Sequence, residues 1–187
     1  MRIVSGKFGS RRLAGPKGDA LRPTSDRLRE TLFDILQTEI EGSIFVDAYA
    51  GTGAVGIEAL SRGAREVYFL ENHRRTVALI RANLQALEID AGAEVLPLDA
   101  ARGIALLAGR GVVADFVFLD PPYDERDEYE KIFEALEASP LVAPRTRIIF
   151  ERRRKLALPE RRGRLERRRT VEQGDAALDF YGVAAVK

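Results

Sequence analysis

No cysteine occurs in the 187 residues, and histidine occurs once, as His73. The first absence excludes a disulfide framework and a thiolate metal site, and a single imidazole leaves a zinc centre without its usual ligands. No metal site is expected. Long apolar runs are missing too. None approaches the roughly 20 residues that span a bilayer, and the opening Met1-Arg2-Ile3-Val4-Ser5-Gly6 lacks the apolar stretch of a signal peptide. A cytoplasmic protein with no membrane association is therefore expected. The length fits one domain of about 100–200 residues, and an apolar content of 45% suffices for a core.

Net charge is also nearly absent, at +1, but the charges are strongly segregated. Residues 1–30 carry a net +5, residues 31–150 a net −9, residues 151–169 a net +7 and residues 170–187 a net −2. One basic run is usually a solvated face. Two of them around an acidic centre are what a polyanion-binding protein needs, because phosphate contacts supply most non-specific nucleic-acid affinity. Arg11, Arg12 and Arg22 in the first block, and Arg152, Arg153 and Arg154 in the second, are the candidate contacts.

The chain pattern is alternating strand and helix. Residues 1–22 are rich in glycine and basic residues and read as an exposed extended or hairpin arm, leaving 23–187 as the main domain. Phe8 is either packed or available to stack on a base. Thr24-Ser25-Asp26 are N-cap residues ahead of a helical stripe through Leu28, Leu32, Ile35, Leu36 and Ile40, which Gly42 is expected to end. Strands are expected at 44–46, 66–70, 93–98, 116–119 and 147–150, with helices between them. Arg152 to Arg169 reads as a loop entering a strand near 164–171, and a last strand runs from 178 to 186 across a Gln173-Gly174-Asp175 turn. The expected fold is thus α/β, a seven-stranded mixed sheet of five parallel strands plus an antiparallel C-terminal edge pair.

Chemistry-bearing residues sit at the strand ends. The first strand runs into Asp47-Ala48-Tyr49-Ala50-Gly51-Thr52-Gly53-Ala54-Val55-Gly56, a glycine-rich turn opening a helix, which suits close approach of backbone to a ligand. Its spacing also matches a dinucleotide fingerprint, a weak signal taken alone. Glu71 and Asp99 end the next two strands, where an acid can reach ribose hydroxyls or an adenine amino group. Asp120-Pro121-Pro122-Tyr123 follows the apolar Phe116-Val117-Phe118-Leu119. Two prolines fix φ and remove two amide donors. The carboxylate, a free carbonyl and an aromatic face then suit a planar group bearing an amino nitrogen.

Together these residues resemble the Rossmann-like S-adenosylmethionine-dependent methyltransferases. With Met1-Arg2-Ile3-Val4-Ser5-Gly6, Arg22-Pro23-Thr24 and Arg29-Glu30-Thr31-Leu32-Phe33 added, the chain resembles, over nearly its whole length, the bacterial family that methylates guanine N2 in small-subunit (16S) ribosomal RNA. Tyr49 stands where that family's pattern leads one to expect Leu-Phe-Ala in place of Ala-Tyr-Ala. The resemblance implies S-adenosyl-L-methionine as cofactor, held by Asp47, Ala50, Gly51, Gly53, Glu71 and Asp99. It implies Asp120, Pro121, Pro122 and Tyr123 as the catalytic group, and 16S rRNA or a small-subunit assembly particle as partner of a monomer. Three other readings stay open: an adenine-N6 DNA methyltransferase, a nicotinamide-dependent oxidoreductase and a non-catalytic RNA-binding module. His73 reads as a capping or surface residue.

Overall fold

A computed structural model of the chain describes residues 1–15, 25–122 and 126–185. It divides into two units, Met1–Asp99 and Ala100–Lys187. Among the described residues no helix is long and apolar enough to cross a membrane.

The first unit contains α1 (Asp26–Leu36), β1 (Ile44–Asp47), α2 (Ala54–Ser61), β2 (Glu66–Leu70), α3 (Arg74–Ala86) and β3 (Ala93–Leu96). Ser25 caps α1, its Oγ accepting from Leu28 N at 3.1 Å. Leu28, Leu32, Phe33 and Leu36 are buried, the i, i+4 stripe of an amphipathic helix. The helix stops well before Gly42. Glu39 N and Ile40 N both donate to the Leu36 carbonyl, at 2.9 and 3.1 Å, so Ile40 is buried from a turn and not from the helical stripe. The strands pair in parallel, β1 with β2 and β2 with β3. β3 ends at Leu96 and not at Leu98, because Pro97 has no amide to donate and Leu98 N turns back onto the Leu96 carbonyl at 2.8 Å.

The N-terminal arm is a hairpin over the described residues 1–15, closed by one antiparallel bridge between Arg2 and Arg12. It is docked and not free. Ile3 and Leu13 are buried, and the fully buried carboxylate of Glu58 accepts from Val4 N at 2.7 Å and Ser5 N at 3.0 Å. Arg62 Nε donates to the same carboxylate at 2.8 Å. Arg29 donates to the Arg2 carbonyl and, at 2.9 Å, to Asp26 Oδ1, with its Nε 3.7 Å from Glu58. Ser61 holds the next turn, accepting Lys7 N on its carbonyl at 2.7 Å and Phe8 N on its Oγ at 2.9 Å. The Arg29-Glu30-Thr31-Leu32-Phe33 segment therefore serves docking through Arg29 and core packing through Leu32 and Phe33.

The second unit contains α4 (Ala100–Gly109), β4 (Ala114–Leu119), α5 (Arg126–Glu137), β5 (Val142–Arg153), β6 (Arg161–Arg162), β7 (Leu165–Gln173) and β8 (Ala176–Val183). β4 pairs in parallel with β5, and β5, β8, β7 and β6 follow in antiparallel pairs. The hairpin turn falls at Gly174, φ +60°. Phe133 of α5 stacks on Phe150 at 4.6 Å between centroids and meets Tyr181 edge-on at 5.3 Å, which seats the helix on β5 and β8.

The described residues thus form eight strands where seven were expected, the addition being the two-residue β6. The sheet is mixed, as the sequence implied. β5 is three times the expected length. Its continuation through Arg152 is made possible by β8, which places Asp179 to receive the guanidinium: Nε donates at 2.6 Å and Nη2 at 3.1 Å. A stretch read as loop is therefore a strand.

Candidate active-site residues

The cofactor candidates lie at the carboxyl ends of the three parallel strands of the first unit. Asp47 is the last residue of β1 and is 1% exposed. Its Oδ2 accepts the Gly56 amide, in the first turn of α2, at 2.9 Å. Burial, aided by the charge of Glu71 and opposed by the Gly56 hydrogen bond, pushes the Asp47 carboxyl up from 3.8 to about 7. Ala50 is buried, its amide bonded to the Leu70 carbonyl at 3.0 Å. Gly51 and Gly53 take left-handed φ angles of +52° and +78°, conformations in which a side chain would be strained.

Glu71 follows β2 and is half-buried. One carboxylate oxygen accepts from Gly51 N at 3.1 Å and the other from His73 N at 2.8 Å. Glu71 thereby sets the height of the glycine turn against the end of β2, and each oxygen keeps a lone pair for another donor. Asp99 is half-buried three residues beyond Leu96, whose carbonyl accepts Glu71 N at 3.2 Å. Glu71 is bonded to Gly51, and Gly53 N donates to the Ala50 carbonyl at 2.6 Å, which joins Ala50, Gly51, Gly53 and Glu71 at one turn; Asp47 is tied to the helix that follows it through Gly56. His73 is the exposed N-cap of α3, with Nδ1 3.2 Å from Thr76 Oγ1.

In the second unit, Asp120 stands half-buried after the end of β4, followed by a buried Pro121 and an exposed Pro122. Tyr123 lies outside the described residues, as does Arg22. The Tyr129 phenol is held well above its ordinary value, first by burial and then by the charges of Asp120 and Glu151.

The basic candidates separate into two kinds. Arg11 and Arg12 are exposed on the arm, Arg11 also donating to the Ala86 carbonyl at 2.8 Å, and Arg153 and Arg154 are exposed. Arg152 is not a surface cation. It is 5% exposed, ion-paired with a fully buried Asp179, and its Nη1 donates to the carbonyls of Arg153 and Arg154 at 3.2 and 3.0 Å. Its assignment as an RNA contact is withdrawn, since a guanidinium spent on buried partners offers nothing to a phosphate. Arg164 is likewise engaged, donating to the carbonyls of Glu137 at 2.6 Å, Ser139 at 2.8 Å and Val142 at 3.0 Å beyond the end of α5. Two residues that hold the arm went unnoticed in the sequence, Glu58 and Asn83. Both are polar residues buried in helices, at 0% and 3% exposure; only Glu58 has a partner nearby in sequence, Arg62 one turn on, and that i, i+4 pair reads as an ordinary helix-surface ion pair.

An α/β chain with parallel strands, a glycine turn bound to acids at their carboxyl ends and an antiparallel C-terminal hairpin has the Rossmann-like methyltransferase fold. Its solved neighbours agree. An Escherichia coli protein provisionally titled a methyltransferase superposes with TM-score 0.84 at 33% identity, over 100% of this chain and 99% of its own. A hypothetical protein of Thermus thermophilus follows with 0.81 at 28% identity, over 99% of each chain. The family model described as conserved hypothetical protein 95 matches residues 1–182. Ribosomal RNA small subunit methyltransferase D of Escherichia coli (strain K12) is 33% identical over 181 residues, 97% of this chain and 89% of that protein. A Bacillus subtilis (strain 168) protein, YlbH, provisionally named an rRNA methyltransferase, is 31% identical over 97% of this chain and 98% of its own. The chain belongs to this family, that of the ribosomal RNA small subunit methyltransferase D proteins.

Proposed function

We propose that the chain transfers a methyl group from S-adenosyl-L-methionine to the exocyclic N2 of a guanine in 16S ribosomal RNA. The observation that carries this reading is Asp120, half-buried at the end of β4 and followed at once by two prolines. The residues of the first unit fit the cofactor. Asp47, Glu71 and Asp99 form an acidic set without a lysine among the turn residues 47–56, which suits a cationic ligand with an ammonium and a sulfonium and no phosphate. A dinucleotide pyrophosphate would favour the opposite charge.

The cofactor, when bound, supplies the electrophilic methyl group. Gly51 and Gly53 would line its methionyl part, Asp47 would face its ammonium, Glu71 its ribose hydroxyls and Asp99 its adenine edge. Asp120 and the Pro121 carbonyl would accept the two amino hydrogens of the guanine, orienting a nitrogen whose lone pair is delocalised into the ring. Tyr123 would stack on the base, which must leave its own stack to enter. As the N–C bond forms, the methyl–sulfur bond would break to release S-adenosylhomocysteine, and one amino proton would pass to the Asp120 carboxylate that accepts it and on to water. Holding reacting atoms in line contributes up to about 7–11 kcal/mol, so no separate strong base is invoked. Exposed Arg11, Arg12, Arg153 and Arg154 would meet RNA phosphates.

The test is methyl transfer from labelled cofactor to ribosomal RNA and to small subunits, followed by nucleoside analysis. N2-methylguanosine is the expected product, and N6-methyladenosine would reject the guanine assignment. Asp120→Ala is expected to bind the cofactor in calorimetry yet fail to transfer the methyl; full activity in that variant ends the mechanism.

A further inference from the structure

Asn83 joins two segments that are remote in sequence and assigned different tasks. It lies on α3, 3% exposed. Its Oδ1 accepts from Ala14 N at 2.8 Å, and its Nδ2 donates to the Ala14 carbonyl and to the Thr52 carbonyl, both at 3.1 Å. The first two bonds grip one residue of the arm by its N–H and C=O together, as a neighbouring strand would. The third falls on the residue between Gly51 and Gly53.

The same face of α3 continues the connection at the i, i+3 spacing that aligns side chains on a helix. One turn earlier Ile80 packs on the glycine turn, its Cγ2 3.2 Å from where a Cβ on Gly53 would stand. One turn later the Ala86 carbonyl accepts Arg11 Nη2 at 2.8 Å. α2 makes a parallel link. It starts at the turn, with Gly53 as N-cap, and holds the arm through Glu58 and Ser61 farther along. Met1 Sδ closes the circuit, 3.7 Å from Thr52 Oγ1.

We propose that Asn83 is a positioning residue that couples the arm to the cofactor turn, so that cofactor bound at the turn orders the arm and RNA on the arm tightens the turn. The inference rests on the cofactor and RNA assignments above. A turn with two glycines has freedom to lose when a ligand fills it, and the rigid carboxamide passes that restriction directly to Ala14. Linkage makes the effect reciprocal: whatever factor the cofactor contributes to RNA affinity, RNA contributes to cofactor affinity.

Amide hydrogen exchange on the full chain, with and without S-adenosylhomocysteine, tests it. In the native chain exchange should slow at residues 47–56 and also across the arm, residues 1–15, the arm by about 5-fold or more. In Asn83→Ala the turn should still respond while the arm's response falls below about twofold. Asn83→Asp, which keeps the acceptor for Ala14 N–H and loses both donors, should show the same uncoupling. In methyl-transfer kinetics Asn83→Ala should raise KM for cofactor and RNA together with kcat nearly unchanged, the pattern of weakened binding with intact chemistry. An arm that does not respond in the native chain overturns the coupling whatever the variants do, and an arm that still responds in Asn83→Ala or Asn83→Asp assigns the link to α2 and overturns the role of Asn83. No response at residues 47–56 would instead reject the cofactor assignment itself.

Discussion

Asp47 and Gly56 are locked together across the start of α2, the buried carboxylate accepting the amide at 2.9 Å. The bond satisfies one of the amides that a helix N-terminus leaves free, at the expense of burying an acid whose proton is then held to about pH 7 against an ordinary value of 3.8. Because the folded value is the higher, the stability from protonated Asp47 is complete below about pH 4 and lost as pH rises through about 7, on the order of 4 kcal/mol in all. Urea denaturation between about pH 5 and pH 8 should show the native chain losing stability with rising pH and Asp47→Asn losing much less. Equal slopes would exclude Asp47 as the source. Cofactor affinity should move the other way, rising with pH over the same window, since an ammonium ligand favours the ionised acid.

Gly56 is where that bond meets the sheet. A Cβ there would stand 2.3 Å from Cε1 of Phe69 and 2.9 Å from Cγ1 of Val67, and Phe69 is fully buried. Alanine has the better helix propensity by about 1 kcal/mol, but overpacking of a closed core costs about 1–3 kcal/mol. Gly56→Ala should therefore be destabilised by up to about 2 kcal/mol, read as a lower urea midpoint with an unchanged slope. A stabilised variant would mean that Phe69 can move aside freely.

Arg152 and Arg154 are neighbours in sequence with opposite roles. Removing one partner of a buried ion pair costs about 3–5 kcal/mol where the other charge is stranded. Asp179 is fully buried but would keep the Thr170 hydroxyl at 2.6 Å and Arg167 Nη1 at 3.6 Å, so Arg152→Ala should lose stability at or below the lower end of that range, about 2–3 kcal/mol. Arg154→Ala, at an exposed position, should melt within about 0.5 kcal/mol of the native chain and lose RNA affinity instead. Matching behaviour of the two variants in thermal melting would contradict the division.

How far the sequence reveals this molecule depends on the range of the forces involved. Strand and helix identities were legible because apolar periodicity and capping are local: Ser25, the β2 run and the Gly174 turn fall where the pattern puts them. The acids at the strand ends were legible because a parallel strand presents its next residue at one edge of the sheet. Arg152 was misread because its partner lies 27 residues away on β8, and a run of arginines looks alike whether it faces water or Asp179. Glu58 and Asn83 were invisible for the same reason, since their partners on the arm are 53 to 69 residues distant.

The arm's own contribution to RNA binding can be separated from its docking. Arg12 is exposed on the hairpin, while docking runs through the backbone of Val4, Ser5, Lys7 and Phe8 and through Arg29. Arg12→Ala should therefore leave the melting temperature unchanged. Each phosphate that the protein ceases to neutralise lowers the slope of log affinity against log salt by about 0.7–0.9, so the variant should bind RNA less tightly at low salt and converge on the native chain at high salt. Glu58→Gln is the counterpart. It keeps an acceptor but abolishes the charge facing Arg62 and Arg29, so it should loosen the whole arm and weaken RNA binding with the salt slope kept. An unchanged slope in Arg12→Ala would remove that residue from the RNA surface, and a reduced slope in Glu58→Gln would mean that docking and phosphate contact are inseparable.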